Sequence, residues 1–206
     1  ELYQKLGFCF QKSGDYEKAL EAYQKAELFG LNNIWNFNKI ALCYRNLKQP
    51  QKALEYYLEV EKLNDKDLNT ELNIGHCYLE LEQFEEALKC YFKVEYLAPG
   101  NKKVWRPLGW CSFVTGKKEQ AAKYFQLLID DEPGKHDFMN MGHVQWSLGN
   151  RKAALDFYKK SISATYFTEK EFFEIFDEDL HHLLNQGVDK EDVPIMLDQL
   201  RYFVEE

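Results

Sequence analysis

Cysteine and histidine are the side chains here with the most chemistry to offer, and the chain has five of each. Cys9, Cys43, Cys77 and Cys111 recur every 34 residues, a regularity that suggests a disulfide framework or a set of metal thiolates. Their surroundings argue against both. The segments LGFCF, IALCY, IGHCY and LGWCS resemble one another, and each is followed by an alanine and then, four residues on, by Tyr or Phe. The cysteine therefore marks one slot of a repeated unit. Equivalent helices in stacked units lie about 8–10 Å or more apart, whereas a disulfide needs Cα atoms within about 7 Å. All four cysteines are expected to be reduced, buried and hydrophobic in role, and Cys90 lies outside the series. His76 and His143 share a slot two units apart, too distant to bind one metal, and the adjacent His181 and His182 diverge by about 100° on a helix. No phosphate loop, serine elbow or metal-spaced cysteine pair appears. No catalytic residue, metal or cofactor is expected, and the chain is read as a non-enzyme.

What positions these residues is a repeat of about 34 residues, a period in the range of stacked solenoids. The small residues Gly7, Ala41, Gly75, Gly109 and Gly142 fall in register, as do Ala19, Ala53, Ala87, Ala121 and Ala154. Tyr23, Tyr57, Tyr91, Phe125 and Tyr158 follow each alanine by four residues. The fourth and fifth units are offset by 33 residues, one having been lost near Pro133 and Gly134. In YEKALEAYQKA the apolar residues Tyr16, Ala19, Leu20, Tyr23 and Ala26 recur at three- and four-residue steps, which lines one face of a helix. Strand-like alternation is nowhere sustained. Gly14, Gly116 and Gly149 mark turns between paired helices, and Pro99 and Pro133 close units. One helical pair cannot bury its own apolar face, so neighbours must stack.

These motifs resemble the tetratricopeptide repeat family. In the first unit Tyr3, Leu6, Gly7, Phe10, Ala19, Tyr23 and Ala26 occupy the pattern; in the fourth, Trp105, Leu108, Gly109, Ala121, Phe125 and Leu128 do, with Ser112 at the second aromatic slot. Gln145 and Ser161 depart from it in the fifth. The resemblance implies an all-α, right-handed superhelical solenoid of five hairpins, at about 1–33, 34–67, 68–101, 102–134 and 135–166. Residues 167–206 are then expected to form a divergent, acidic capping hairpin.

Charge separates the two regions. The net charge is −8, but residues 168–206 carry 12 acidic and 3 basic side chains, leaving the repeats nearly neutral. Thr168 and Glu171 form a capping-box pattern opening a helix that Gly187 should stop, and a second helix starts near Asp189 or Asp192 with Pro194 in its first turn. Phe172, Ile175, Phe176, Leu180, Leu183 and Leu184 make an apolar stripe on the first of these, as an exposed solenoid end requires. No apolar run is long enough to span a membrane. Unpaired cysteines point to the cytoplasm, and a chain opening at Glu1 inside a helical pattern is expected to have an upstream segment.

The family resemblance implies a ligand groove on the concave face of the first helix of each unit. Its positions are Phe8 and Lys12 (beside Gln11) in unit one; Trp35, Asn38, Leu42 and Arg45 in two; Asn69, Leu72, Asn73 and His76 in three; Lys103, Arg106, Trp110 and Phe113 in four; Met139, His143 and Trp146 in five. Three of the chain's four tryptophans fall here, and Trp and Arg are the residues enriched at binding hot spots. Lys12, Arg45, Lys103 and Arg106 make the groove mildly basic. The family's clamp for an acidic C-terminal peptide is not reproduced, the corresponding stretches being Gln4 with Phe8, Lys39, and Asn69 with Asn73. A protein or peptide partner is expected. Self-assembly, or a docking role within a larger enzyme, is the alternative. Four scattered cations do not make the field that nucleic acid needs.

Overall fold

The computed structural model describes residues 1–64, 67–164 and 168–205. Among them are twelve α-helices and no strand. Five antiparallel pairs follow the repeat: α1 (Leu2–Lys12) with α2 (Tyr16–Leu28), α3 (Ile34–Asn46) with α4 (Pro50–Leu63), α5 (Leu68–Glu80) with α6 (Phe84–Leu97), α7 (Lys102–Val114) with α8 (Lys118–Asp131), and α9 (Asp137–Ser147) with α10 (Arg151–Ser163). Two more helices, α11 (Glu169–Asn185) and α12 (Asp192–Glu205), complete the chain. Side-chain caps start several of them: Asn33, Asp67 and Asn101 accept backbone N–H groups of α3, α5 and α7, and the Thr168–Glu171 capping box opens α11. The expected boundary at 166/167 lies outside the described residues.

The repeat pattern translates into one packing motif. The alanine slots of the second helices are fully buried, and the aromatic four residues later lies against the small slot of the first helix. A Cβ added at Gly75 would stand 2.8 Å from the Tyr91 ring, and one at Gly109 would stand 2.9 Å from Phe125. At these two positions an added Cβ would force the ring to shift, whereas the second hairpin accommodates Ala41 in the same slot. The turn between paired helices repeats too. Gly14, Gly116 and Gly149 have φ near +80°, and the equivalent Lys48 and Glu82 are forced to φ of 56° and 58°.

The helices gather into two compact units, Glu1–Gly100 with α1–α6 and Asn101–Glu206 with α7–α12. The acidic C-terminal helices thus share a unit with the fourth and fifth hairpins. Cys43, Cys77, Cys90 and Cys111 are buried, and burial raises the thiol pKa of Cys43 to about 11 and of Cys77 to about 12. Cys9 departs from the expectation and is exposed. Cys43 and Cys77 lie beside Tyr23 and Tyr57 of the preceding second helices.

Candidate ligand-binding faces of the first helices

The buried tyrosines of the second helices dictate much of the polar character of the first. Each carries a hydroxyl into the core, where an unpaired polar group is costly. Tyr23 donates to Gln11 Oε1 at 3.0 Å, Tyr57 bonds to Arg45, and Tyr91 and Tyr158 pair with Nδ1 of His76 and His143, both at 2.8 Å. The fourth hairpin has Phe125 at this slot and therefore no hydroxyl to satisfy. Its first helix presents the apolar Trp110 and Phe113 instead.

In unit 1 the first-helix face is open. Phe8 is 41% and Trp35 43% exposed. Lys39 Nζ stands 5.8 Å from the Phe8 ring and 5.4 Å from the Trp35 ring, and Lys12 lies 5.4 Å from Phe8, within cation–π range. Trp35 rests edge-on against Tyr23 at 5.8 Å. A cavity of about 740 Å³ opens between α1 and the start of α3, lined by Glu1, Gln4, Lys5, Phe8, Cys9, Asn33 and Trp35. Asn38, Leu42, Leu72 and Asn73 are half-buried and Asn69 is exposed. Arg45 donates to Glu80 at 3.1 Å and to Asn73 at 3.2 Å, which ties α3 to α5. Burial, with Arg45 nearby, lowers the pKa of His76 to about 4, so it serves as a neutral hydrogen-bonding group at neutral pH.

In unit 2 the same face is filled. Phe113, Met139, His143 and Trp146, expected on an accessible groove, are buried in the core because α11 lies over α7 and α9. Phe172, Phe176 and Leu183 of α11 are buried with them. The Phe176 ring is 5.7 Å from His143, 6.3 Å from Trp146 and 5.4 Å from Tyr158. Asp179 Oδ2 meets His143 Nε2 at 3.3 Å, and His182 stands edge-on to Trp110 at 5.3 Å. Polar contacts hold both ends of α11. Lys135 pairs with Glu171 at 3.3 Å; Lys118 donates to the Gln186 carbonyl at 2.7 Å, and Gln186 Nε2 donates to the Val114 carbonyl at 2.8 Å. Trp110 keeps only a crevice of about 230 Å³ shared with His136, Asn140, Ile175 and Asp179.

The charges also differ from the expectation. Arg106 forms a two-pronged bond with fully buried Asp137, at 2.8 and 2.7 Å, and Asp137 also accepts the Gly134 N–H at 2.6 Å. Arg106, whose side chain is about half exposed, is thereby tied to the α8–α9 connection. Lys103 is exposed. Lys39 joins the face although it lies outside the expected groove positions. Its signal in the sequence is its spacing, four residues after Trp35, one turn along the same helical face.

Models of the tetratricopeptide repeat match residues 1–28, 36–67, 69–101, 108–134 and 138–166. No curated protein matches the sequence. Among solved structures, MamA from Desulfovibrio magneticus RS-1 is 19% identical, with 82% of this chain and 96% of that one covered at a TM-score of 0.74. YrrB, described as a TPR protein with an unusual peptide-binding site, is 18% identical over 85% of this chain and 90% of its own, at 0.72. TTC0263, a thermophilic TPR protein in Thermus thermophilus, is 16% identical over 87% and 97%, at 0.59. At these identities the likeness is one of fold.

Proposed function

The chain belongs to the tetratricopeptide repeat family of protein-interaction modules, and we propose that it binds a partner polypeptide on the first-helix face of unit 1. The observation that carries this reading is the exposed pair Phe8 and Trp35 with Lys39 between them. Neighbouring exposed aromatics beside a cavity are the kind of apolar patch that marks an interaction surface, and Trp with cations at its rim is hot-spot chemistry. Arg45 and His76 extend the face with hydrogen-bonding groups already held in place by Glu80, Asn73 and Tyr91, so little side-chain ordering remains to be lost on binding. Among the described residues the face has no cluster of groups for bond-making chemistry, and recognition is the role that suits it. Cysteines that form no disulfide support a reducing compartment for this role.

The test is selection of peptides from a displayed library on the full chain, followed by titration against Trp35→Ala. Loss of the indole should weaken the selected peptides by about 2 kcal/mol or more without loss of fold. Peptides that bind Trp35→Ala as tightly as the native chain place recognition elsewhere and defeat the reading.

A further inference from the structure

The two units share a piece of geometry that allows their first-helix faces to be compared. His76 with Tyr91 and His143 with Tyr158 occupy the same slots of the repeat, with the same 2.8 Å bond, the same 5.5 Å ring separation and the same 62° interplanar angle. In unit 2 the occupant of the face around this pair is visible. It is α11, a helix with six carboxylates and one lysine. Phe172, Phe176 and Leu183 are its apolar anchors, and Asp179, on the same stripe, reaches the second nitrogen of His143. The spacing of i, i+4, i+7 and i+11 puts all four side chains on one face of a helix.

Unit 1 offers the matching surface, with lysines beside its exposed aromatics, while Glu1 lines the cavity and Glu80 of α5 pairs with Arg45. Helices α1 and α3 have no carboxylate; their only charged residues are Lys5, Lys12, Lys39 and Arg45. Lys12 and Lys39 border the exposed aromatics, and Arg45 lies near His76. Resting on the reading above, we infer that the first-helix face of unit 1 takes a partner's acidic amphipathic helix, seated as α11 is seated in unit 2. The partner helix places aromatic or aliphatic anchors one turn apart against Phe8, Trp35 and Leu42, and a carboxylate against His76 and Arg45. Such helix-in-groove recognition reads a stripe of anchors, while the flanking cations steer the acidic ligand and fix its register.

The probe is a labelled peptide of residues 168–187, titrated by fluorescence anisotropy onto the full chain in which α11 is in place. Saturable binding is expected, weakened by about tenfold or more in Trp35→Ala and in Lys39→Glu and unchanged in Trp110→Ala. Replacing the peptide's carboxylates with amides should weaken it comparably and abolish the salt dependence. If the amide peptide binds as well as the acidic one and both need Trp35, the inference fails while the peptide-binding face stands. If binding ignores Trp35 and Lys39 but is lost in Trp110→Ala, the peptide is displacing α11 in unit 2, and the inference is overturned. Absence of binding by the acidic peptide overturns it too, leaving the library selection to judge the face alone. A mass for the unliganded chain that rises with concentration, and falls back in Trp35→Ala, would make the occupant a second copy rather than a partner.

Discussion

His76 with Tyr91 and His143 with Tyr158 are the same device built twice, one on an open face and the other beneath α11. Unit 1 leaves Phe8 and Trp35 about two-fifths exposed beside a cavity of about 740 Å³; unit 2 buries Trp146 to 5% and leaves Trp110 a crevice of about 230 Å³. The paired slots do not account for this difference, since His76 with Tyr91 corresponds to His143 with Tyr158. What differs is that the chain supplies unit 2 with a helix of its own. The comparison teaches that an aromatic first-helix face is a site that can be filled from within the chain or left for a partner. The filled copy records what a good occupant looks like.

The largest effect should come from removing an anchor of that occupant. Phe176 is 1% exposed and packs on His143, Trp146, Tyr158 and Phe172. Phe176→Ala should cost about 3–5 kcal/mol. Followed by tryptophan fluorescence in urea, the loss should fall on the transition of unit 2. Phe8→Ala, the contrasting truncation on the open face, should cost less than about 1 kcal/mol. Equal costs would mean that the two faces are not filled and open as described.

A smaller effect concerns the response of unit 1 to pH. Burial holds His76 neutral in the fold, its pKa lowered to about 4 from an ordinary value near 6.5. Below about pH 6.5 the unfolded chain takes up a proton there that the folded chain refuses until about pH 4, so stability falls as pH falls through this window. Between about pH 7.5 and about pH 5 the loss attributable to His76 should be on the order of 2 kcal/mol. His76→Gln, which keeps a partner for the Tyr91 hydroxyl, should flatten that part of the profile. The same slope in the variant would show that His76 titrates in the fold much as it does in water.

How far these features could be read from the sequence depends on whether they are periodic. The alanine, aromatic and small-residue slots recur in phase, so the five hairpins, their packing and the Thr168 capping box were all legible. The apolar stripe Phe172, Phe176 and Leu183 was legible as well, but not the surface it covers. An amphipathic helix declares that it needs a surface; only tertiary contact decides whether that surface is the solenoid end or the first-helix face. The ion pair of Arg106 was not legible for a related reason. Its partner Asp137 lies 31 residues away on another helix, and no local pattern pairs them. The link from Tyr91 to His76 and from Tyr158 to His143, and its absence where Phe125 replaces tyrosine, could have been found by comparing the repeats column by column.

The smallest effect concerns the turns. Unit 2 closes both its hairpins with glycine, Gly116 and Gly149 at φ of 80° and 82°; unit 1 does so only at Gly14 and puts Lys48 and Glu82 at the same bend with φ of 56° and 58°. A side chain in this left-handed region costs about 1 kcal/mol relative to glycine, although glycine returns part of that gain through the greater freedom of its unfolded chain. Lys48→Gly and Glu82→Gly should therefore each stabilise unit 1 by about 0.5–1 kcal/mol. The two sites belong to different hairpins, so their effects should add within about 0.5 kcal/mol. Gly116→Lys, the reverse exchange, should cost unit 2 about 1 kcal/mol, visible as a lower urea midpoint at unchanged slope. If the substitutions in unit 1 instead destabilise it, the left-handed turn is supported by contacts of the Lys48 and Glu82 side chains, and the open unit gains something from these residues that the filled one does without.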